Sequence, residues 1–219
     1  ILNVDAPDFK YKTIEFDNID ISAIGDIDKL SLTGRANSIV LSDSASIPMV
    51  EFSIVAEEDV SKIMLFTGGE NTAVRQASLD ALVYTYNNGA KIHFNPSSFM
   101  VAGKTWTIEK DGELEFRTNM PAFGEVSLKE SNQEINIKTT KSKVGDWNDI
   151  AVSLKNLNLG DLALYLLPSN RLEGLATADI LIENPGNKMR IMTDNFEGKG
   201  IRLDNDSLGN LTAKVLYDL

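Results

Sequence analysis

The chain has 219 residues, of which 42% are hydrophobic and 24% charged, the proportions of a globular protein with a buried core rather than of a disordered one. Its net charge of −11, with basic residues scattered singly, argues against nucleic acid and anionic lipid headgroups as direct partners. The chain lacks cysteine, which excludes disulfides, thiol chemistry and cysteine-ligated metals, and no apolar run approaches the roughly 20 residues of a membrane-spanning helix.

Short runs in which apolar and polar residues alternate, the pattern of half-buried strands, follow one another along the first half of the chain. Strands are predicted, in chain order, at residues 13–16, 18–21, 30–32, 38–41, 50–54, 63–66, 82–86 and 91–94. Turns are predicted at Gly34, at Gly68-Gly69 and at Asn87-Asn88-Gly89. Residues 72–84 also fit a helical pattern, but their β-branched and aromatic end favours a strand.

The second half continues in the same way. Lys110-Asp111-Gly112, between apolar alternations at 106–108 and 114–116, predicts a hairpin, because Asp-Gly readily takes the positive φ angles of tight turns. Further strands are predicted at residues 125–128, 134–138, 189–191, 201–203 and 211–217. About a dozen short strands predict an all-β protein, and the absence of helical patterns between them disfavours a parallel α/β fold.

The stretch from Asp149 to Pro185 is predicted to form a strand, a short helix and a second strand. Val152 and Leu154 alternate with polar or small residues, and the apolar residues of 159–167 are too dense for alternation. Asp161 is a candidate cap for this helix and Pro168 ends it. In the second strand Ala176, Ala178, Ile180 and Ile182 face one way. The helix is expected to cover an open apolar end of the sheet as a plug formed by Leu162, Leu166 and Leu167.

Residues suited to catalysis are few. The single histidine, His93, alternates with Ile92 and Phe94 and is expected on the wetter face of its strand. The acidic residues examined as candidate catalytic carboxylates alternate with apolar ones and are predicted to be solvated: Glu51, Glu113, Glu115, Glu134 and Asp179. Asp26-Ile27-Asp28 and Asp204-Asn205-Asp206 lack the spacing of a calcium loop. We therefore predict no catalytic, cofactor or metal site, and no enzymatic activity.

The apolar face of the predicted sheet is the remaining functional feature. An antiparallel sheet with one apolar face must cover that face. Two sheets packed together give a closed β-sandwich core, whereas one sheet folded over on itself gives an open groove that holds acyl chains. Periodicity by itself favours the sandwich.

Particular residues resemble the TamB (translocation and assembly module), AsmA-like family. The segment from Phe94 to Leu114 (FNPSSFMVAGKTWTIEKDGEL) resembles its recurring element of a short strand, a turn, a tryptophan in a strand and a hairpin. A second element, a leucine-rich strand and short helix followed by L-x-G-x-A, is matched by Leu157, Leu159, Leu162, Leu167, Pro168, Leu172, Gly174 and Ala176. The tail, from Asp194-Asn195-Phe196 to Tyr217-Asp218, is similar to the segment that follows in Bacteroidetes-type members. The resemblance covers residues 80–219, and less clearly 1–80.

The resemblance implies a β-taco, an elongated amphipathic sheet folded lengthwise around an apolar groove, with one short helix near 159–167. It implies a non-enzymatic periplasmic protein of the Gram-negative cell envelope, anchored in the inner membrane through a region outside this chain. The implied partners are phospholipid acyl chains and outer-membrane assembly machinery of the barrel-assembly type. Since the chain begins with Ile1 rather than Met, it is expected to be a segment of a longer protein.

The leading hypothesis treats residues 1–219 as one β-rich segment, with a separate subdomain over 1–70 left open. By alternation, the residues expected to face the groove are Trp106, Ile108, Leu114, Phe116, Ile135, Ile137, Ile180, Ile182, Ile201, Leu203, Val215 and Tyr217. The second hypothesis is a structural or adhesive β-sandwich module of the cell surface. The third, a carbohydrate-active enzyme, requires a pair of carboxylates that the sequence does not nominate.

Overall fold

The computed structural model describes residues 1–11, 14–42, 45–68, 74–101, 103–118, 123–142, 145–161, 170–185 and 188–218. Within these ranges the chain forms sixteen β-strands, and every pairing whose register is defined is antiparallel. The prediction of an all-β fold built on a large antiparallel sheet is confirmed. The chain divides into two compact units, and the division falls after Tyr86 and Ile108 rather than near residue 70.

Unit 1 comprises Ile1–Tyr86 and Ile92–Ile108. Its strands are β1 (Leu2–Tyr11), β2 (Ile14–Gly25), β3 (Lys29–Ser42), β4 (Ala45–Glu57), β5 (Val60–Gly68), β6 (Val74–Tyr86), β8 (Ser97–Val101) and β9 (Lys104–Ile108), while β7 (Gly89–Phe94) contributes residues to both units. Strands β1 to β6 pair in chain order, β8 pairs with β6, and β9 pairs with β8. The interpretation of residues 72–84 as a strand rather than a helix is confirmed for the described residues, which belong to β6 from Val74 onward.

Unit 2 comprises Asn87–Lys91 and Glu109–Leu219. Its remaining strands are β10 (Gly112–Arg117), β11 (Gly124–Glu130), β12 (Gln133–Thr140), β13 (Asp149–Asn158), β14 (Leu172–Glu183), β15 (Arg190–Leu203) and β16 (Asp206–Asp218). These strands pair in chain order from β10 to β16. The predicted turn at Lys110-Asp111-Gly112 separates two strands, but the predicted hairpin partners are wrong, because β10 pairs with β11 and β9 pairs with β8.

The strand break predicted at Gly34 is wrong, since β3 runs through it from Lys29 to Ser42. Gly34 lies opposite Phe52 of β4. The Phe52 ring occupies the space above the glycine, so that a Cβ built on Gly34 would be 2.3 Å from Cζ of Phe52. The aromatic ring fills the place of the missing side chain, which is how a sheet accommodates glycine in a strand interior.

The short helix predicted at 159–167 begins where expected. Residues 159–161 are helical, directly after β13, and Oδ1 of Asn158 accepts a hydrogen bond of 2.9 Å from the Gly160 N–H. Asn158 therefore caps the first turn, in place of the predicted Asp161, which is itself buried in that turn. The predicted plug residues Leu162, Leu166 and Leu167 lie outside the described residues.

Candidate apolar binding face

The register of unit 2 joins apolar side chains of six consecutive strands into one row. Cross-strand partners in antiparallel sheets project from the same face, and their side chains are in contact range. The row contains Val126 (β11), Ile137 (β12), Val152 (β13), Ile180 (β14), Thr193 (β15) and Val215 (β16). Thr193 is its only polar member. We call this set the central row.

Parallel rows flank the central row on the same face. On one side lie Gly124, Thr139, Ile150, Ile182, Ile191 and Tyr217. On the other side lie Leu128, Ile135, Leu154 and Ala178, followed by Leu157, Ala176, Gly198 and Leu211 beyond a bulge in β13. These rows and the central row form one apolar surface, which we call the apolar face.

Burial of the side chains on the apolar face varies from strand to strand. Val126, at the β11 end of the central row, is 3% exposed, whereas Val215, at the β16 end, is 49% exposed. Ile137, Val152 and Ile180, between them, are half-buried. The middle of the central row is therefore partly exposed and leaves apolar surface for a further apolar occupant, whereas Leu157, Ala176 and Ala178 in the row beside it are buried.

Most of the predicted groove residues of unit 2 lie on the apolar face. The register places there Ile135, Ile137, Ile180, Ile182, Val215 and Tyr217. Leu114 lies next to Gly124 of the flanking row, which places it on the apolar face. Phe116, two residues further along β10, lies on the same face by alternation. Ile201 lies opposite Gly209 of β16. Gly209 is two residues from Leu211 and therefore on the same face of the strand, which places Ile201 on the apolar face. Leu203, opposite Leu172 at the end of β14, is 36% exposed.

Trp106 and Ile108 belong to unit 1, where the corresponding row is a packed core. The register joins Ala36 (β3), Val50 (β4), Thr67 (β5), Ala77 (β6), Phe99 (β8) and Trp106 (β9). Trp106 is 4% exposed, and Ala36, Val50 and Thr67 are equally well buried. The two rows differ in burial. In the row of unit 1 four of six members are buried and Ala77 and Phe99 are half-buried, whereas in the central row of unit 2 only Val126 and Thr193 are buried.

Thr67 is the polar member of the unit 1 row. Its side chain is 3% exposed, and its hydroxyl makes no hydrogen bond within the ranges that the structure describes. A buried hydroxyl without a partner costs about 1–3 kcal/mol of desolvation free energy. We expect Thr67→Val, which keeps the shape and removes the hydroxyl, to raise the free energy of unfolding by about 1 kcal/mol in urea denaturation. Thr67→Ser, which keeps the hydroxyl and loses the methyl group, is expected to be destabilising, and a loss of stability in the valine variant would contradict the prediction.

The opposite face of unit 2 has polar contacts across strands beside an apolar row of Ala151, Leu181, Met192 and Leu216. Asp179 of β14 accepts a hydrogen bond of 2.7 Å from the Ser153 hydroxyl and one of 2.6 Å from Nδ2 of Asn195. Nearby, Glu125 accepts hydrogen bonds from Asn136 and forms an ion pair with Lys138. The predicted solvated role of Asp179 agrees with this placement, because its side chain is exposed.

The hydrogen bonds from Ser153 and Asn195 hold the pKa of Asp179 below its ordinary value of 3.8. The unfolded chain therefore binds more protons than the folded chain near that pH, and stability rises with pH there. The contribution is complete above the ordinary pKa and is lost as the pH falls through the lower folded value. We expect the stability difference between the wild type and Asp179→Asn to be constant above about pH 5 and to shrink below pH 3.8, measured by urea denaturation at each pH. A difference that stays constant down to the acid transition would contradict this prediction.

Four members of the apolar face lie in predicted strands but are not among the residues predicted to face the groove. Val126, Leu128, Val152 and Leu154 follow the same alternation as the predicted residues, and that alternation was the available signal. Leu157 was missed as a member of the face because a bulge at Asn156, with φ of 50°, shifts the phase of β13 between Leu154 and Leu157.

Comparisons of the chain with protein-family models, with curated proteins and with solved structures found no match. Among the described residues no helix has the length and apolar character to span a membrane. The same ranges contain no group of three or more His, Cys, Asp or Glu side chains arranged to bind a metal ion.

Proposed function

We propose that the chain is a non-enzymatic segment of a TamB-like periplasmic protein, and that the apolar face of unit 2 holds phospholipid acyl chains on their way between membranes. The observation that supports this proposal is the central row, which is continuous over six strands and half-exposed at Ile137, Val152 and Ile180. The sequence resemblance to the TamB family supports the same function.

The dimensions of the central row suit an acyl chain. Neighbouring strands are about 4.8 Å apart, so five spacings from β11 to β16 give a row about 24 Å long. One leaflet of a bilayer, half of a hydrocarbon core about 30 Å thick, contains acyl chains about 15 Å long. An acyl chain lying across the strands therefore fits within the row.

The chemistry of the apolar face also suits an acyl chain. Burial of each methylene group contributes about 0.8 kcal/mol of binding free energy. An acyl chain is therefore held by its contact area and needs no fixed site for the headgroup. The half-exposed middle and the more exposed β16 end leave a path by which the chain enters and leaves. Extended apolar segments of outer-membrane proteins that await assembly are the second class of ligand in this proposal, because they would bind the apolar face through the same hydrophobic contacts.

The test is a single charge in the centre of the row. We expect Ile180→Asp to reduce co-purifying phospholipid, quantified by mass spectrometry of extracts, to the background of an unrelated protein, because a carboxylate is costly to desolvate against an acyl chain. Leu181→Asp is the matched control, since Leu181 is also half-buried but pairs with Ala151 and Met192 on the opposite face. Circular dichroism spectra and melting curves establish that both variants are folded.

Three results would contradict the proposal: no phospholipid bound to the wild type, phospholipid retained by folded Ile180→Asp, or equal losses in the two variants. Equal losses would show that the charge acts through stability rather than through the apolar face. A wild type without phospholipid would favour the structural or adhesive β-sandwich module.

A further inference from the structure

Unit 1 has a groove on the face opposite its packed core. The groove crosses β2, β3, β4, β5 and β6 and encloses about 630 Å³. Four spacings of about 4.8 Å make it about 19 Å long, with the strands running across it. Each of the strands β3 to β6 contributes three consecutive residues to the groove. The first and third point into the groove and the second points towards the packed core, as with Thr33, Gly34 and Arg35. The volume is within the range of about 300–1,000 Å³ typical of ligand sites.

Two exposed apolar side chains stand in an otherwise polar groove. Met64 is 43% exposed and Phe66 is 44% exposed, both on β5. Phe66 lies opposite Glu51 on one side and Ser78 on the other, so polar side chains border the aromatic ring across both neighbouring strands. Met64 and Phe66 lie on the same face of β5, so together they give the groove a short apolar strip between polar side chains.

Several polar groups of the groove are available to a ligand. The hydroxyls of Thr33, Ser53 and Ser78 and the carboxylate of Asp20 make no side-chain hydrogen bond within the ranges that the structure describes. These four groups supply both donors and acceptors.

The charged groups Arg35, Glu51 and Asp80 of the groove each lie near an oppositely charged side chain. Nε of Arg35 lies 3.8 Å from Oε1 of Glu51. Asp80 accepts a hydrogen bond of 2.9 Å from Nδ2 of Asn95 and lies 4.0 Å from Nζ of Lys62. The hydrogen bond from Asn95 makes Asp80 the charged group of the groove best placed to orient a polar ligand.

We infer that this groove binds a short oligosaccharide of neutral hexose or N-acetylhexosamine units. A sugar ring has an apolar C–H face, which matches Phe66 and Met64, and a rim of hydroxyls that each donate and accept hydrogen bonds, which matches the Ser, Thr, Asp, Glu and Arg side chains. The groove is open at the surface, so a chain of sugars extends along it. Binding of this kind needs no catalytic pair of carboxylates.

Other ligand classes fit less well. An extended peptide binds a sheet through unpaired backbone groups, but the strands of the groove floor, β3 to β5, already pair on both sides. An amphipathic helix or a lipid chain needs more apolar surface than two side chains provide. Asp20, Glu51 and Asp80 outnumber Arg35 in the groove, which disfavours acidic sugars and nucleic acid.

The inference is independent of the proposed lipid function, because the groove lies in unit 1 and on the polar face of its sheet. The test is isothermal titration calorimetry with cellotetraose, maltotetraose and tetra-N-acetylchitotetraose, with tetragalacturonate as the anionic probe. We expect at least one of the three neutral probes to bind and tetragalacturonate not to bind. Phe66→Ala is expected to weaken binding roughly tenfold or more, because the stacking surface is lost.

Two further variants separate the site from general effects on unit 1. Phe9→Ala removes an aromatic ring of similar exposure, 48%, outside the groove and is expected to leave binding unchanged. Thr33→Val removes one hydroxyl without a change of shape and is expected to weaken binding several-fold. The inference is overturned if none of the three neutral probes binds, if tetragalacturonate binds as well as they do, or if Phe9→Ala and Phe66→Ala weaken binding equally.

Discussion

Replacing Trp106 with alanine is expected to lower the free energy of unfolding by about 3–5 kcal/mol, the cost of removing a large aromatic side chain from a core. The indole is 4% exposed in β9, opposite Phe99 of β8, which is in turn opposite Ala77 of β6. The short alanine side chain leaves a cavity that this row cannot fill. Urea denaturation followed by circular dichroism measures the change, since the variant lacks one of the two tryptophans on which fluorescence depends.

Thr105→Ala is the matched control for Trp106→Ala. Thr105 precedes Trp106 in β9 but is exposed on the other face of the strand, so its truncation is expected to cost less than about 1 kcal/mol. A cost for Trp106→Ala as small as that of the control would show that the indole is not packed. Trp106 would then face an open groove, as its alternation in the sequence predicts.

Alternation in the sequence was sufficient to predict strands and faces wherever the pleat is regular. Phe16 and Ile19 show where it failed, because they were assigned to two strands but belong to the single strand β2. Both are half-buried, and between them Asn18 takes a φ of 48°. Asparagine tolerates this left-handed conformation, and the local irregularity returns Ile19 to the face of Phe16 after three residues instead of two. In the sequence, a change of phase within one strand has the same appearance as a strand end.

Alternation does not predict which strands pair or how deeply each side chain is buried. Lys110-Asp111-Gly112 predicts a hairpin from local turn chemistry, but β10 pairs with β11 and not with β9. Trp106 and Ile180 show the same alternation, yet one is buried in a core and the other is half-exposed. The exposed fraction depends on what packs above the face, and alternation reports only which face a side chain occupies.

The groove in unit 1 was missed because its residues follow the rule for a solvated face. Glu51 was predicted to be solvated, and its position on the polar face agrees with that prediction. Met64 and Phe66 were included in a strand without attention to the face they share, since apolar residues at 63–66 are consecutive and not alternating. Two apolar residues on the polar face of β5 were the available signal.

Gly124→Ala is expected to cost about 3 kcal/mol of unfolding free energy, at the upper end of the range for an overpacked site. A Cβ built on Gly124 would be 2.5 Å from the backbone oxygen of Glu113 and 2.8 Å from Cα of Leu114. Both atoms belong to the backbone of β10, so no side-chain rotation relieves the overlap and β10 must move away from β11. Val126, two residues along β11 and 3% exposed, then loses part of its cover. Urea denaturation gives the loss of stability, and hydrogen exchange at the β10 and β11 amides locates it.

Gly160→Ala provides the control for Gly124→Ala, because its built Cβ would be 3.2 Å from a side-chain oxygen of Asn158 and 3.5 Å from the next nearest atom. The Asn158 side chain can shift, and alanine favours the helical turn that begins there, so the expected change is within about 1 kcal/mol. A similarly small effect of Gly124→Ala, with unchanged exchange at β10, would show that the two strands are not in close contact. The β11 end of the central row would then be less well covered, and lipid bound to this row would have to be held by the middle strands.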